Sequence, residues 1–231
     1  MKERKITVTK DGPYIVSGSI PLAKEIIVSG SDGIPVSWEH GKLFPLQETS
    51  ALCRCGHSTN KPFCDGSHIK TKFDGTETAP DILYKDQAET TTGPGLVLDD
   101  AAALCAVALF CHRAGDAWTL TEKSQDPAAR ETAMQEACDC PSGRLVARDP
   151  KTGKPFEPEF AAAIGIIEDP HKKISGPLWI KGRVPVQGAD GKVYEVRNRV
   201  TLCRCGHSKN KPFCDGTHTS IGFKDGDPSV E

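Results

Sequence analysis

The sequence predicts an α+β chain: two small β-cap units, each ending in a metal-binding loop and a helical turn, flanking a helical insert. Three observations predict this. A sixteen-residue stretch, CRCGHSTNKPFCDGSH (53–68), returns as CRCGHSKNKPFCDGTH (203–218), changed only at Thr59/Lys209 and Ser67/Thr217. The residues ahead of each copy alternate apolar and polar between Gly and Pro turns, the pattern of short strands. The stretch between the copies carries Ala-rich runs preceded by capping Asp residues, the pattern of helices. The units are placed at 1–77 and 174–231, with the insert at 78–173.

In the first unit, KITVTK (5–10) reads as a strand and Asp11-Gly12-Pro13 as a turn. GPYIVSGSIPL (12–22) is a strand closed by Gly18 and Pro21, and KEIIVS (24–29) is another. SDGIPVSWEHGKLFPL adds turns and short β segments, and Phe73 follows the first copy as an apolar lid. In the insert, TETAPDILYKDQAETTTGPG reads as a polar linker. Asp99 or Asp100 then caps a helix running through AAALCAVALFCHR to Gly115, apolar on most sides and so buried. Asp126-Pro127 starts a second helix, and AAAIGIIE (161–168) is a buried strand. In the second unit, GPLWIKGRVPV (176–186) aligns with residues 12–22, with Gly12/Gly176, Pro13/Pro177, Gly18/Gly182 and Pro21/Pro185 in register. Phe223 repeats Phe73, so the unit is an internal duplication.

Composition narrows the function. A net charge of −2 over 231 residues offers no basic field for nucleic acid. Aromatic residues make up 6%, while Gly and Pro number 22 and 17, so the cores are modest and a metal is the natural staple. No signal peptide and no membrane-length apolar run is read. Six of the ten Cys lie in the repeats as thiolate ligands, which suits a reducing, cytoplasmic compartment. No Ser–His–Asp set, phosphate loop or dinucleotide fingerprint is read, so the expectation is a protein that is not an enzyme.

The repeats carry the chemistry. Each offers three Cys and one His: Cys53, Cys55, Cys64, His68, and Cys203, Cys205, Cys214, His218. Cys53 and Cys55 are one residue apart, so an extended strand points both the same way. Cys64 and His68 are four apart, so a helical turn, with Asp65 as its N-cap, brings them together. Gly56 and Pro62 let the loop fold tightly, and Ser58 and loop N–H groups are candidate donors to sulfur. By spacing alone such a set suits zinc as well as iron. His57 and His207 are read as exposed, His112 as a surface residue, and Lys61 and Lys211 as a positive rim.

Both copies match C-x-C-x-x-(S/T)-x-x-x-P-x-C-D-G-(S/A/T)-H throughout, including Ser58, Pro62, Ser208 and Pro212. The chain thereby resembles the CDGSH iron–sulfur family, the mitoNEET-like proteins. The resemblance implies one 2Fe–2S cluster per copy, one iron held by two Cys and the other by Cys and His. It also implies intertwined β-caps, here as an intramolecular pseudo-dimer or as a homodimer. The membrane anchor of many such proteins is not expected. A neutral imidazole in place of one thiolate makes the site less negative and raises its potential, and it is also the weaker ligand.

The insert holds Cys105, Cys111, Cys138 and Cys140. Its C-x5-C spacing and Cys140-Pro141-Ser142-Gly143-Arg144-Leu145 are similar to the divergent mono-cluster ferredoxin-like domain, which implies a third iron–sulfur cluster, 4Fe–4S or 3Fe–4S. Val107 stands where that domain has His, and Cys138 lies outside its pattern. The other reading makes Cys105 and Cys111 small buried hydrophobes on a helix. Three roles follow: electron transfer or redox sensing with a redox partner protein, cluster donation to an apo iron–sulfur acceptor, or a structural zinc module.

Overall fold

The computed structural model describes residues 3–231. In the first cap, β1 (Lys5–Val8) and β2 (Tyr14–Ser17) form the expected hairpin, and β2 pairs with β5 (Thr49–Leu52), placing Tyr14 opposite Leu52. In the second cap, β9 (Ala163–Asp169) and β10 (Ile174–Lys181) form a hairpin, and β10 pairs with β12 (Arg199–Leu202), placing Leu178 opposite Leu202. A hairpin and the strand that leads into the box thus recur in both halves.

The following strand in each half crosses over. β3 (Leu22–Ser29) pairs in parallel with β9 of the other half, and β4 (Pro35–Leu43) extends that sheet. The short β11 (Val186–Gln187) pairs in parallel with β1. Each half therefore lends a strand to the other's sheet, giving orders β11-β1-β2-β5 and β12-β10-β9-β3-β4. One core lies between the sheets, with Ile6, Tyr14, Leu52, Ile166, Leu178 and Leu202 all at most 1% exposed. Burial at alternate positions along β1 and β2 is what period-two patterning produces.

The insert departs from the helical expectation. It contains an antiparallel sheet of β6 (Glu89–Thr92), β7 (Val97–Asp100) and β8 (Leu145–Arg148), packed on helices α3 (Ala117–Glu122) and α4 (Pro127–Asp139). A short helix α2 (Tyr84–Gln87) precedes it. α4 starts as read, with the Asp126 carboxylate accepting from Ala128 N–H. The helix expected over 100–115 does not form. Only single 3₁₀ turns occur, at Ala102–Leu104 and Phe110–His112, and between them Val107 and Leu109 take positive φ. Asp99 and Asp100 do not cap it. They end β7 and form two-pronged ion pairs with Arg148 and Arg144. The stretch read as a linker contains β6 and, before it, a strap across the second metal box. Phe110 stacks on Trp38 (4.7 Å between centroids) and docks the insert on the cap, where Trp38 also meets Trp179.

Among the described residues no helix is long and apolar enough to cross a membrane.

Candidate metal centres

Each box hangs from the last strand of its cap. Cys53 and Cys55 follow the end of β5, and their sulfurs lie 3.8 Å apart; Cys203 and Cys205 follow β12 with sulfurs 3.7 Å apart. The chain then loops through Gly56 or Gly206, whose φ values of +80° and +85° put them in the left-handed region. A Cβ on Gly56 would lie 2.5 Å from the Cys205 carbonyl, and one on Gly206 would lie 2.5 Å from that of Cys55. The two boxes thus meet backbone to backbone across the pseudo-twofold, with Cys55 and Cys205 as partners in a β-bridge.

The return leg brings the other pair. α1 (Ser67–Lys70) and α5 (Thr217–Ser220) are single turns. They place Cys64 Sγ 3.4 Å from His68 Nδ1, and Cys214 Sγ 3.4 Å from His218 Nδ1. Asp65 steadies the first turn, accepting from Ser67 N at 3.0 Å and Thr59 N at 2.8 Å. The capping position itself is Gly66, at φ +87°.

The donors come in pairs. Among the described residues the only three His, Cys, Asp or Glu donors all within 4.8 Å of one another are Glu168, Asp225 and Asp227. Lys24 already reaches all three carboxylates there, and Arg204 reaches two, so that cluster is a salt-bridge network. At the boxes the donors stand as a Cys–Cys pair and a Cys–His pair, and no three of them lie all within that range of one another. Ligands of one tetrahedral zinc would all lie about 3.3–3.8 Å apart.

Ser58 and Ser208 do not reach sulfur, contrary to the sequence expectation. Their hydroxyls donate to the Phe63 and Phe213 carbonyls (2.6 and 2.7 Å) and accept from Asn60 and Asn210 N–H, bracing the loops. Sulfur instead receives backbone N–H from His57 (to Cys55) and Gly216 (to Cys214), each at 3.4 Å. Lys61 and Lys211 bend back onto the Ser58 and Ser208 carbonyls. His57, His207 and His112 are exposed.

The arginine between each Cys pair escaped the sequence reading; a charged residue flanked by two Cys in both copies was the signal. Arg54 is 1% exposed and Arg204 3%. Arg54 donates to the Thr9 and Gly75 carbonyls and lies over Tyr14 and Phe73. Arg204 donates to the Gly176 and Ile167 carbonyls and to the Glu168 and Asp225 carboxylates, and lies over Phe223. Phe223 packs against Cys203 and Cys205, as a lid should. Tyr14 reaches across from the first cap, its hydroxyl donating to the Cys203 and Pro212 carbonyls (2.8 and 3.1 Å).

Surroundings separate the two boxes. Cys64 and His68 are partly exposed, whereas Cys214 and His218 are buried at 3% and 4%. The 105–107 loop of the insert roofs the second box: a Cβ on Gly216 would meet Val107 Cγ2 at 2.3 Å, while one on Gly66 would meet nothing. Burial, with Arg204 and Lys172 adding to it, holds His218 down at about 4, so its imidazole is neutral and free to ligate. Hydrogen bonding from the Cys205 thiol and from loop N–H groups lowers Cys203 to about 6. Burial raises Cys55 to about 11 and lifts Cys214 as well.

In the insert, the broken 100–115 segment lets Cys105 and Cys111 share surroundings with Cys140. Burial, with Cys140 and then Cys105 adding to it, pushes Cys111 up to about 12. Cys138 turns elsewhere, its thiol donating to the Phe156 carbonyl at 3.4 Å. Arg199 ties the end of α4 to β12, donating to the carbonyls of Ala137, Cys138, Cys140 and Leu145.

Two family models match the chain. The iron-binding zinc finger CDGSH type matches residues 11–69 and again 175–219. The divergent 4Fe-4S mono-cluster matches residues 91–150. No curated protein matches the chain.

Proposed function

We propose that this chain, which carries two CDGSH-type domains around a divergent 4Fe-4S mono-cluster segment, is an iron–sulfur protein of electron transfer or redox sensing with one two-iron site in each box. The observation that carries the reading is the pairing of donors. Cys53 and Cys55 would hold one iron and Cys64 and His68 the other; Cys203, Cys205, Cys214 and His218 would do the same in the second box. Two pairs set farther apart than the edge of one tetrahedron suit two bridged irons better than one zinc. When bound, such a group supplies one-electron redox chemistry.

The chain's own residues serve that role. His68 and His218 turn Nδ1 toward the neighbouring sulfur, which leaves Nε2 as the atom that holds or releases a proton. The N–H groups of His57 and Gly216 donate to sulfur and offset thiolate charge. Arg54 and Arg204, buried between the two Cys of each pair, brace the loops through backbone carbonyls: Thr9 and Gly75 for Arg54, Gly176 and Ile167 for Arg204. Cys105, Cys111 and Cys140 are the thiols available to a third cluster. The partial exposure of Cys64 and His68 supports a second reading, donation to an apo iron–sulfur protein from the first box alone.

Iron, sulfide and zinc counts on anaerobically purified protein test the proposal, with EPR of the reduced form. About four iron and four sulfide per chain are expected from the boxes, and seven or eight iron if the insert is filled. Zinc without sulfide would overturn the reading and leave a structural module. Transfer of iron and sulfide to an apo-ferredoxin, without passage through solvent, separates donor from carrier.

A further inference from the structure

The pseudo-twofold presents one surface twice, and only one copy is covered. From Gly41 through the box each residue matches the one 150 positions later, as Cys53 matches Cys203, while Leu22 ahead of it matches Val186. The backbones agree there: Phe44 N–H donates to the Leu22 carbonyl at 2.9 Å, and Tyr194 N–H to the Val186 carbonyl at 2.9 Å. The rings agree too, with Phe44 edge-on to Phe63 (5.8 Å) and Tyr194 edge-on to Phe213 (5.1 Å).

In the second half the chain's own strap, residues 77–84, lies across this surface. Thr78 and Ala79 N–H both donate to the Lys211 carbonyl (2.8 and 2.9 Å). Thr78 Oγ1 accepts from Lys211 N–H at 3.0 Å and donates to the Lys209 carbonyl at 2.8 Å. Asp81 pairs with Lys192, and Glu77 accepts from the Tyr194 hydroxyl at 2.7 Å. Pro80, Ile82 and Leu83 share a cavity wall with Tyr194 and Phe213.

In the first half the same groups stand without a strap. Among the described residues nothing hydrogen-bonds the backbone N–H or carbonyl of Lys61, the counterpart of Lys211. Lys42, the counterpart of Lys192, pairs with no carboxylate there and lies over the Phe44 ring at 5.2 Å. Beside them Leu43 and Leu46 are 70% and 63% exposed, in an apolar groove with Pro21, Phe44 and Pro45, against 48% and 44% for their counterparts Val193 and Val196.

We propose that this bare face, beside the partly exposed first box, docks an extended segment of a partner protein with the chemistry of the strap. That chemistry is a hydroxyl residue and a small residue whose N–H groups meet the Lys61 carbonyl, then proline, then a carboxylate for Lys42. An acidic residue before the hydroxyl adds nothing here, because Phe44 lacks the Tyr194 hydroxyl. The inference rests on backbone and surface groups, whatever metal the boxes hold.

The test uses the full chain as purified and a labelled, end-blocked peptide of the strap, TETAPDILY (residues 76–84). Anisotropy should show saturable one-site binding that Lys42→Glu weakens about fivefold, the scale of one exposed ion pair. A peptide carrying Asp81→Lys should regain that loss on the Lys42→Glu chain and bind the unaltered chain poorly. Leu46→Asp should leave both pairings in place, because its counterpart Val196 stays 44% exposed beside the strap. No saturable binding overturns the proposal. So does binding insensitive to Lys42→Glu but lost with Lys192→Glu, which would mean that the peptide displaces the internal strap. Concentration-dependent dimerisation abolished by Leu46→Asp, seen by sedimentation, would assign the face to a second copy and overturn it likewise.

Discussion

The first box leaves Cys64 and His68 partly open to solvent, while the second buries Cys214 and His218 under the 105–107 loop of the insert. The boxes differ at only two of sixteen positions, so their own residues do not create this difference. It comes from outside them. Arg199, where the first half has Thr49, anchors the end of α4 to the second cap through three backbone carbonyls, and β8 through that of Leu145. The strap engages Lys211 and leaves Lys61 bare. Even the buried arginines differ, since Arg54 is met by neutral carbonyls while Arg204 is met by Glu168 and Asp225. Duplicated boxes thus acquire separate surroundings from their neighbours.

The sharpest break of the comparison is ligand deletion. Cys64→Ala should remove the iron of the first box and leave that of the second, and Cys214→Ala the reverse. Iron per chain and EPR of the reduced form check this. Loss of both signals from either substitution would mean that the boxes, in backbone contact at Gly56 and Gly206, fold only together.

Much of each box was legible because its geometry is local. Two Cys one residue apart on a strand, and Cys and His four apart on a turn, are set by backbone periods. The strands of the caps followed from alternation. The 100–115 segment was not legible: its Ala-rich composition favours helix, yet Val107 must reach Gly216 and Phe110 must reach Trp38. Tertiary contact overrode propensity there. The exchange of β3 and β11 between halves rests on contacts distant in sequence, as do the turning away of Cys138 and the partners of Arg54 and Arg204.

Glycine substitution sharpens the roof argument. Gly66 and Gly216 share nearly the same positive φ, 87° and 84°, so an added Cβ costs about 1–2 kcal/mol of backbone strain at either position. Only Gly216→Ala also collides with Val107, adding about 1–3 kcal/mol of overpacking. Denaturation midpoints should therefore fall further for Gly216→Ala, and equal losses would remove the roof from the account.

A smaller effect concerns acid. The guanidinium of Arg204 and the ammonium of Lys24 hold Asp225 well below the carboxylate value of 3.8 against the opposing effect of burial. A depressed folded value stabilises the protein above 3.8, and the contribution is lost as pH falls below it toward the folded value. Asp225→Asn should lower stability near neutrality and flatten the acid-side fall, read as thermal midpoint against pH. An unchanged profile would mean that Asp225 does not support the second box.

The most direct test is the time course of iron release to a strong chelator at neutral pH, with each phase assigned by the single-box variants Cys64→Ala and Cys214→Ala. The account predicts two phases of similar amplitude, the fast one from the first box and the slow one from the second, with the slow phase hastened by opening the roof through Val107→Gly. A single rate for both boxes, or a faster second box, would contradict it.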